Sequence, residues 1–268
     1  QTEEVQTNVV TRHYFDADYT YAGGRLSYQI GDGSILEGRF GIQDYRADEE
    51  SENVPVGSLS HYWRPAPGLD FATAYDRAVV PSGRRVITSD SVALRALWRA
   101  RDGWELSAFG RYSYYSDTNA LLHVAASSMW LVGERQNIYA GVQYELTTMD
   151  DESVLYWCPY WEERFYLALR VQRSFPRFFA SAQARAGMAR EKGRPEALEK
   201  WRALKAAGDQ GGWYPGDKPG ADWEPSVGLE GLLRRQIGLH WELEGRGACS
   251  FYSDYSEFLV GGGLVYLF

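Results

Sequence analysis

The sequence predicts an all-β fold, a transmembrane antiparallel β-barrel of about 14 strands with a short helix in a long extracellular loop. Three observations carry this expectation. First, residues Glu257 to Phe268 place Phe258, Val260, Gly262, Leu264, Tyr266 and Phe268 on one parity. A strand presents alternate residues on opposite faces, so this segment has one continuous apolar and aromatic face. An unpaired terminal strand of that kind invites aggregation, and a barrel removes the edge by pairing the last strand with the first. Second, segments of alternating polarity recur along the chain, and their connections alternate between short and long. Third, aromatic residues make up 15% of the chain, which suits girdles at two membrane interfaces.

The 268 residues allow one large all-β domain or two small ones. Residues 1–9 are polar and expected to be a disordered lead-in, with the barrel over 10–268. Gln1-Thr2-Glu3-Glu4 has neither the basic start nor the apolar segment of a secretory signal, so an exported protein is expected to be shown in its mature form. Mean hydropathy is −0.43, and no run approaches the roughly 18 apolar residues of a membrane helix. Barrel strands need only about 9–11 residues each and are polar on their lumen side, so that average is compatible with a membrane protein. A net charge of −8 argues against nucleic acid as a partner.

An opening strand is expected near Val10–Tyr19. Six hairpins follow. Arg25–Ile30 and Ile35–Tyr45 flank Gly31-Asp32-Gly33-Ser34, a tight-turn composition. Val54–Arg64 and Leu69–Arg77 flank Pro65-Ala66-Pro67-Gly68, and Ser91–Ala100 and Trp104–Tyr114 flank Arg101-Asp102-Gly103. Leu122–Val132 pairs with Ile138–Leu146, Phe165–Arg173 with Phe178–Gly187, and Val227–Arg234 with Ile237–Gly247. The closing strand is 257–268. The intervening connections, such as 78–90, 147–164 and 188–225, are longer. Outer-membrane barrels keep short turns at the periplasm and long loops outside, whereas a soluble sandwich has no reason to keep that parity.

The faces divide the same way. Val92, Leu94, Ala96 and Trp98, or Phe165, Leu167, Leu169 and Val171, suit lipid. The opposite parity carries the expected pore-lining residues Arg95, Arg99, Arg111, Glu145, Arg170, Glu230, Arg234 and Glu242. Within 188–225, Pro195 to Gly208 carries Pro near its start and Gly past its end, the signature of a helix that caps the pore or packs on the barrel rim.

Loop 147–164 holds Tyr156, Trp157, Tyr160 and Trp161. Exposed aromatic rings stack on the apolar faces of sugar rings, and they also serve to shield a loop's own backbone. Cys158 and Cys249 fall near one rim of the barrel, where one disulfide and two unpaired thiols are both open. No catalytic constellation, metal-ligand spacing or cofactor motif stands out. Of His13, His61, His123 and His240, only His240 clearly falls on the lumen parity, and spacing places no Ser beside it for an enzyme acting on lipid.

The Tyr-x-Phe terminus resembles that of bacterial outer-membrane β-barrels. In addition, Tyr156-Trp157-Cys158-Pro159 followed by the alternating strand Arg164 to Arg170 resembles the C-terminal barrels of tetratricopeptide-repeat exporters of bacterial exopolysaccharides, of the cellulose and poly-N-acetylglucosamine type. The resemblance covers Tyr156 to Phe268. It implies an outer-membrane pore that passes a growing polysaccharide and is gated by extracellular loops, with outer-membrane lipids around it and a periplasmic helical-repeat scaffold on a separate chain or segment. A general diffusion porin, or a structural barrel anchoring an envelope assembly, needs the same strands.

Overall fold

A computed structural model describes residues 4–14, 17–31, 33–46, 51–80, 86–100, 103–151, 160–192, 199–200, 202–203, 206, 222–237, 241–251 and 256–266. The strands are β1 (Glu4–Tyr14), β2 (Ala17–Gln29), β3 (Ser34–Arg46), β4 (Ser51–Ala66), β5 (Leu69–Val80), β6 (Ile87–Arg99) and β7 (Trp104–Tyr115). They continue as β8 (Ala120–Gly133), β9 (Ile138–Met149), β10 (Trp161–Phe175), β11 (Phe178–Lys192), β12 (Glu224–Gln236), β13 (Trp241–Phe251) and β14 (Ser256–Tyr266). All 14 form one antiparallel meander in sequence order, and the Cα atoms of β1 and β14 come within 8 Å of each other.

Most expected strands are found, many lengthened by a few residues, while the strand expected at Ile237–Gly247 is shifted to Trp241–Phe251 and the closing strand is described over Ser256–Tyr266. The first hairpin differs. The opening strand expected at Val10–Tyr19 is divided, because β1 starts at Glu4, within the expected lead-in, and Tyr19 belongs to β2. Glycine and aromatic pairing across Asn8↔Gly23 and Val10↔Tyr21 extends this ladder through residues whose hydrophobic alternation is weak. Of the expected helix, Glu199, Lys200, Arg202, Ala203 and Ala206 are helical and exposed, while Leu198, Trp201 and Leu204 lie outside the described residues.

Strands of 11 to 16 residues meet or exceed the roughly 9–11 needed to cross hydrocarbon. One face of the sheet is apolar yet open. Phe40, Ile42, Val92, Leu94, Leu167, Leu169 and Leu229 all lie on it and are exposed, Leu167 at 64%. At the short-turn end this face carries a row of indoles. Trp104 stands between Trp98 and Trp130, with ring centroids 5.6 and 6.4 Å away, and its Nε1–H donates to Ser128 Oγ at 2.9 Å. Free Cys249 points to this same face, opposite Leu229; Cys158 lies outside the described residues.

The other face is charged and concave. Neighbouring strands stand about 4.8 Å apart. Side chains two or three strands away from each other can therefore meet only where the sheet curves toward them. Among the described residues, side-chain ion pairs that skip a strand occur on this face. Glycine permits the curvature at β11: a Cβ on Gly187 would lie 1.9 Å from the Phe165 carbonyl oxygen. Toward the long-loop end, Tyr45, Val54 and Val79 form one small buried cluster, and Ile87, Tyr115 and Met149 another.

Candidate functional site

The register puts all eight expected pore-lining residues on the charged face. Arg95 lies between Ala72 and Phe109, Arg111 between Ala93 and His123, and Arg99 directly opposite Glu105. Glu145 faces Arg164, Arg170 lies between Tyr139 and Gln183, and Glu230 between Gln183 and Ala248. Arg234 is opposite Glu244, and Glu242 opposite Gln236.

Five side chains from five strands form a relay near the short turns. Arg64 Nε donates to Asp70 at 2.5 Å; Arg99 donates to the second oxygen of Asp70 and reaches Glu105 at 3.4 Å. Arg170, from β10, donates to the other oxygen of Glu105 while its guanidinium lies 4.6 Å from the centre of the Tyr139 ring. Each carboxylate therefore faces two guanidiniums, the arrangement that best offsets its partial desolvation.

A second relay lies farther up the wall. Glu145 accepts from Arg185 at 3.0 Å and meets Arg164 at 3.7 Å; Arg164 also bonds nearly buried Glu162 at 2.6 Å. The Arg185 guanidinium lies 4.8 Å from the centre of the buried Tyr166 ring. Arg111 bridges Asp76 at 3.3 Å and Ser91 Oγ at 3.0 Å, and Arg234 holds Glu244 at 2.8 Å. Arg95, exposed in the middle of the wall, makes no ion pair or hydrogen bond among the described residues. The sequence expectation omitted Asp70, Asp76, Arg164 and Arg185. Asp70 and Asp76 lie on the same parity of β5 as Ala72 and Ala74, a pattern that marks the charged face once the strand's ends are known.

The histidine assignment is corrected. His123 is on the charged face, bonded to Thr147 Oγ1 at 2.9 Å, because the β7–β8 ladder pairs it with Arg111. His61 bonds Ser34 at 2.8 Å and stacks on Trp63 on the apolar face, while His240 lies outside the described residues. In the aromatic loop, Tyr156 and Trp157 also lie outside the described residues. Tyr160 and Trp161 line a cavity of about 560 Å³ at the long-loop end with Thr148, Met149, Asp150 and Lys192. Register places Trp161 on the apolar face, opposite Thr148 and Lys192, so its ring lies outside the charged wall. The Arg190 guanidinium sits 4.3 Å from the centre of the Trp161 ring and 4.6 Å from that of Trp223, and bonds Glu163 at 2.6 Å.

No family model matches the chain, and no curated protein matches it. Solved structures do. A bacterial polysaccharide outer membrane secretin superposes with a TM-score of 0.55 at 11% identity, covering 100% of this chain and 96% of that one. The KdgM porin in complex with disordered oligogalacturonate covers 100% and 99% at 8% identity and a TM-score of 0.40, and Pseudomonas aeruginosa OccK7 covers 99% and 71% at 11% and 0.44. The likeness is one of fold. The chain shares the antiparallel strand architecture of an outer-membrane β-barrel, with its apolar face outward and its charged face on the concave side.

Proposed function

We propose that the chain is a bacterial outer-membrane pore that exports an exopolysaccharide. The observation that carries this reading is the pairing of an exposed apolar face with a concave wall of hydrated guanidiniums and carboxylates. An exposed apolar band of this extent is stable in lipid and not in water. Cα atoms of β1 and β14 come within 8 Å, and closure of the sheet there would leave the charged face around an aqueous lumen. The full-length likeness to a polysaccharide secretin supports a polysaccharide as cargo. The loops within 147–164 and 188–225 gate the outer mouth. A helical-repeat scaffold on the periplasmic side delivers the chain.

Single-channel recording of the refolded protein in planar bilayers, with and without polysaccharide fragments, tests the proposal. Fragments should block the current from the short-turn side. A protein that stays soluble and monomeric without detergent and never inserts would overturn the pore; a steady current indifferent to every saccharide would leave a general diffusion porin.

A further inference from the structure

Resting on the pore reading, we infer that the polymer it passes is anionic, a polysaccharide carrying carboxylate or sulfate groups along its chain. The argument begins with depth rather than with net charge. In most ion pairs of the charged face, the carboxylate sits against the wall and the guanidinium stands proud of it. Side-chain exposure is 7% for Glu37 against 49% for Arg39, 11% for Glu105 against 44% for Arg99, and 20% for Glu244 against 47% for Arg234. The pair Arg111–Asp76 is even, and in Arg164–Glu145 the carboxylate is the slightly more exposed partner, at 18% against 15%. A solute moving along the wall therefore meets guanidiniums first, with the negative charges tucked behind them.

Arg95 sharpens the asymmetry. Its cross-strand neighbours are Ala72 and Phe109, neither of which can neutralise it, and it is exposed on the ladder row that runs through Phe109 and Ala125 to Glu145. Exposed Glu230 is the opposing feature, a carboxylate flanked by Gln183 and Ala248 on the far side of the wall. Guanidinium is the donor best suited to such a cargo. Its planar fork binds carboxylate and sulfate oxygens, and it is weakly hydrated. Each arginine of the relays already shares its charge with a carboxylate. That keeps every contact with the cargo weak, so a chain can step from one guanidinium to the next rather than stall, as conduction through a lined pore requires.

The experiment is ion selectivity and block by defined oligosaccharides in planar bilayers. Three probes of equal length are compared: a neutral glucan oligomer, a uronate oligomer and a sulfated oligomer. The expected result is a channel that prefers chloride to potassium and is blocked at several-fold lower concentration by the charged oligomers than by the neutral one, with the difference shrinking at high salt. Stronger block by the uronate identifies carboxylate as the recognised group, and stronger block by the sulfated oligomer identifies sulfate. Arg95→Gln, which leaves no carboxylate unpaired, should weaken block by the charged probes and leave the neutral one unchanged. A conducting channel that prefers potassium, or that all three oligomers block equally, overturns the anionic cargo and spares the pore. No conductance under any condition overturns the pore and this inference with it.

Discussion

Arg170 on β10 and Glu105 on β7 are bonded across two intervening strands, and Arg99 meets the same carboxylate from β6. The contact ties together strands that share no backbone ladder, so it adds rigidity the meander itself does not supply. Glu105 is 9% exposed, and removing its charge strands two guanidiniums in a partly desolvated wall. Glu105→Gln should lower unfolding stability by about 1–3 kcal/mol. Arg170→Met should do less harm, because Glu105 keeps Arg99. Urea unfolding in lipid vesicles, followed by tryptophan fluorescence, would measure both. Equal midpoints for wild type and Glu105→Gln would show that the relay plays no part in stability.

Leu167 lies halfway along β10 on the apolar face, and Gln172 five residues on lies on the charged face. If lipid covers the first and water the second, one substitution has opposite consequences at the two sites. Leu167→Arg should destabilise the membrane-inserted protein by about 2–4 kcal/mol, and Gln172→Arg by much less. A soluble sheet with Leu167 exposed to water would tolerate both. Comparing the yield and unfolding midpoint of the two variants in vesicles decides between them.

The alternation that makes these two residues behave differently was legible in the sequence, because a period of two survives any error in where a strand starts. Strand number and the division between short and long connections were legible because most short turns are marked by Gly, Pro or Asp, as in Gly31-Asp32-Gly33, though not the one at Arg235-Gln236. The first hairpin was not, since Glu4 to Gln29 is largely polar and offers little contrast between faces. β11 carries its apolar face as Ala180, Ala182, Ala184 and Ala186, which is why Arg185 did not stand out against it. The relays themselves were beyond sequence. Parity gives the face of Arg170 and of Glu105, but only the curvature of the sheet brings β10 within reach of β7.

The indole row makes a third prediction. Trp104 packs on Trp98 and Trp130 and bonds Ser128, all on the apolar face near the short turns, where the membrane interface would fall. Trp104→Phe keeps part of the stacking and loses the hydrogen bond; Trp104→Ala loses both. Each aromatic pair contributes about 0.5–1.5 kcal/mol beyond the area it covers, so the alanine variant should show the larger drop in melting temperature. Identical melting of both variants and wild type in vesicles would remove the row from the list of anchors.

Gly187 sets the last test. It pairs with Tyr166, which is buried and shares a 3.2 Å hydrogen bond with Ser226 on β12. A Cβ at Gly187 would sit 1.9 Å from the Phe165 carbonyl oxygen and 2.8 Å from the Tyr166 Cα. Both are backbone atoms of a paired strand, so no side-chain rotation relieves the clash, and the ladder between β10 and β11 must open. Gly187→Ala is expected to lose about 1–3 kcal/mol of stability through that overpacking. Gly110 offers the contrast, as a Cβ there meets nothing within 4 Å. Gly110→Ala should be neutral or raise stability by up to about 1 kcal/mol, because it restricts the unfolded chain without straining the folded one. Should the two alanine variants unfold at the same denaturant concentration, the close approach of β10 to β11, and with it the tight curvature that lets Arg185 reach Glu145, would not exist in the folded protein.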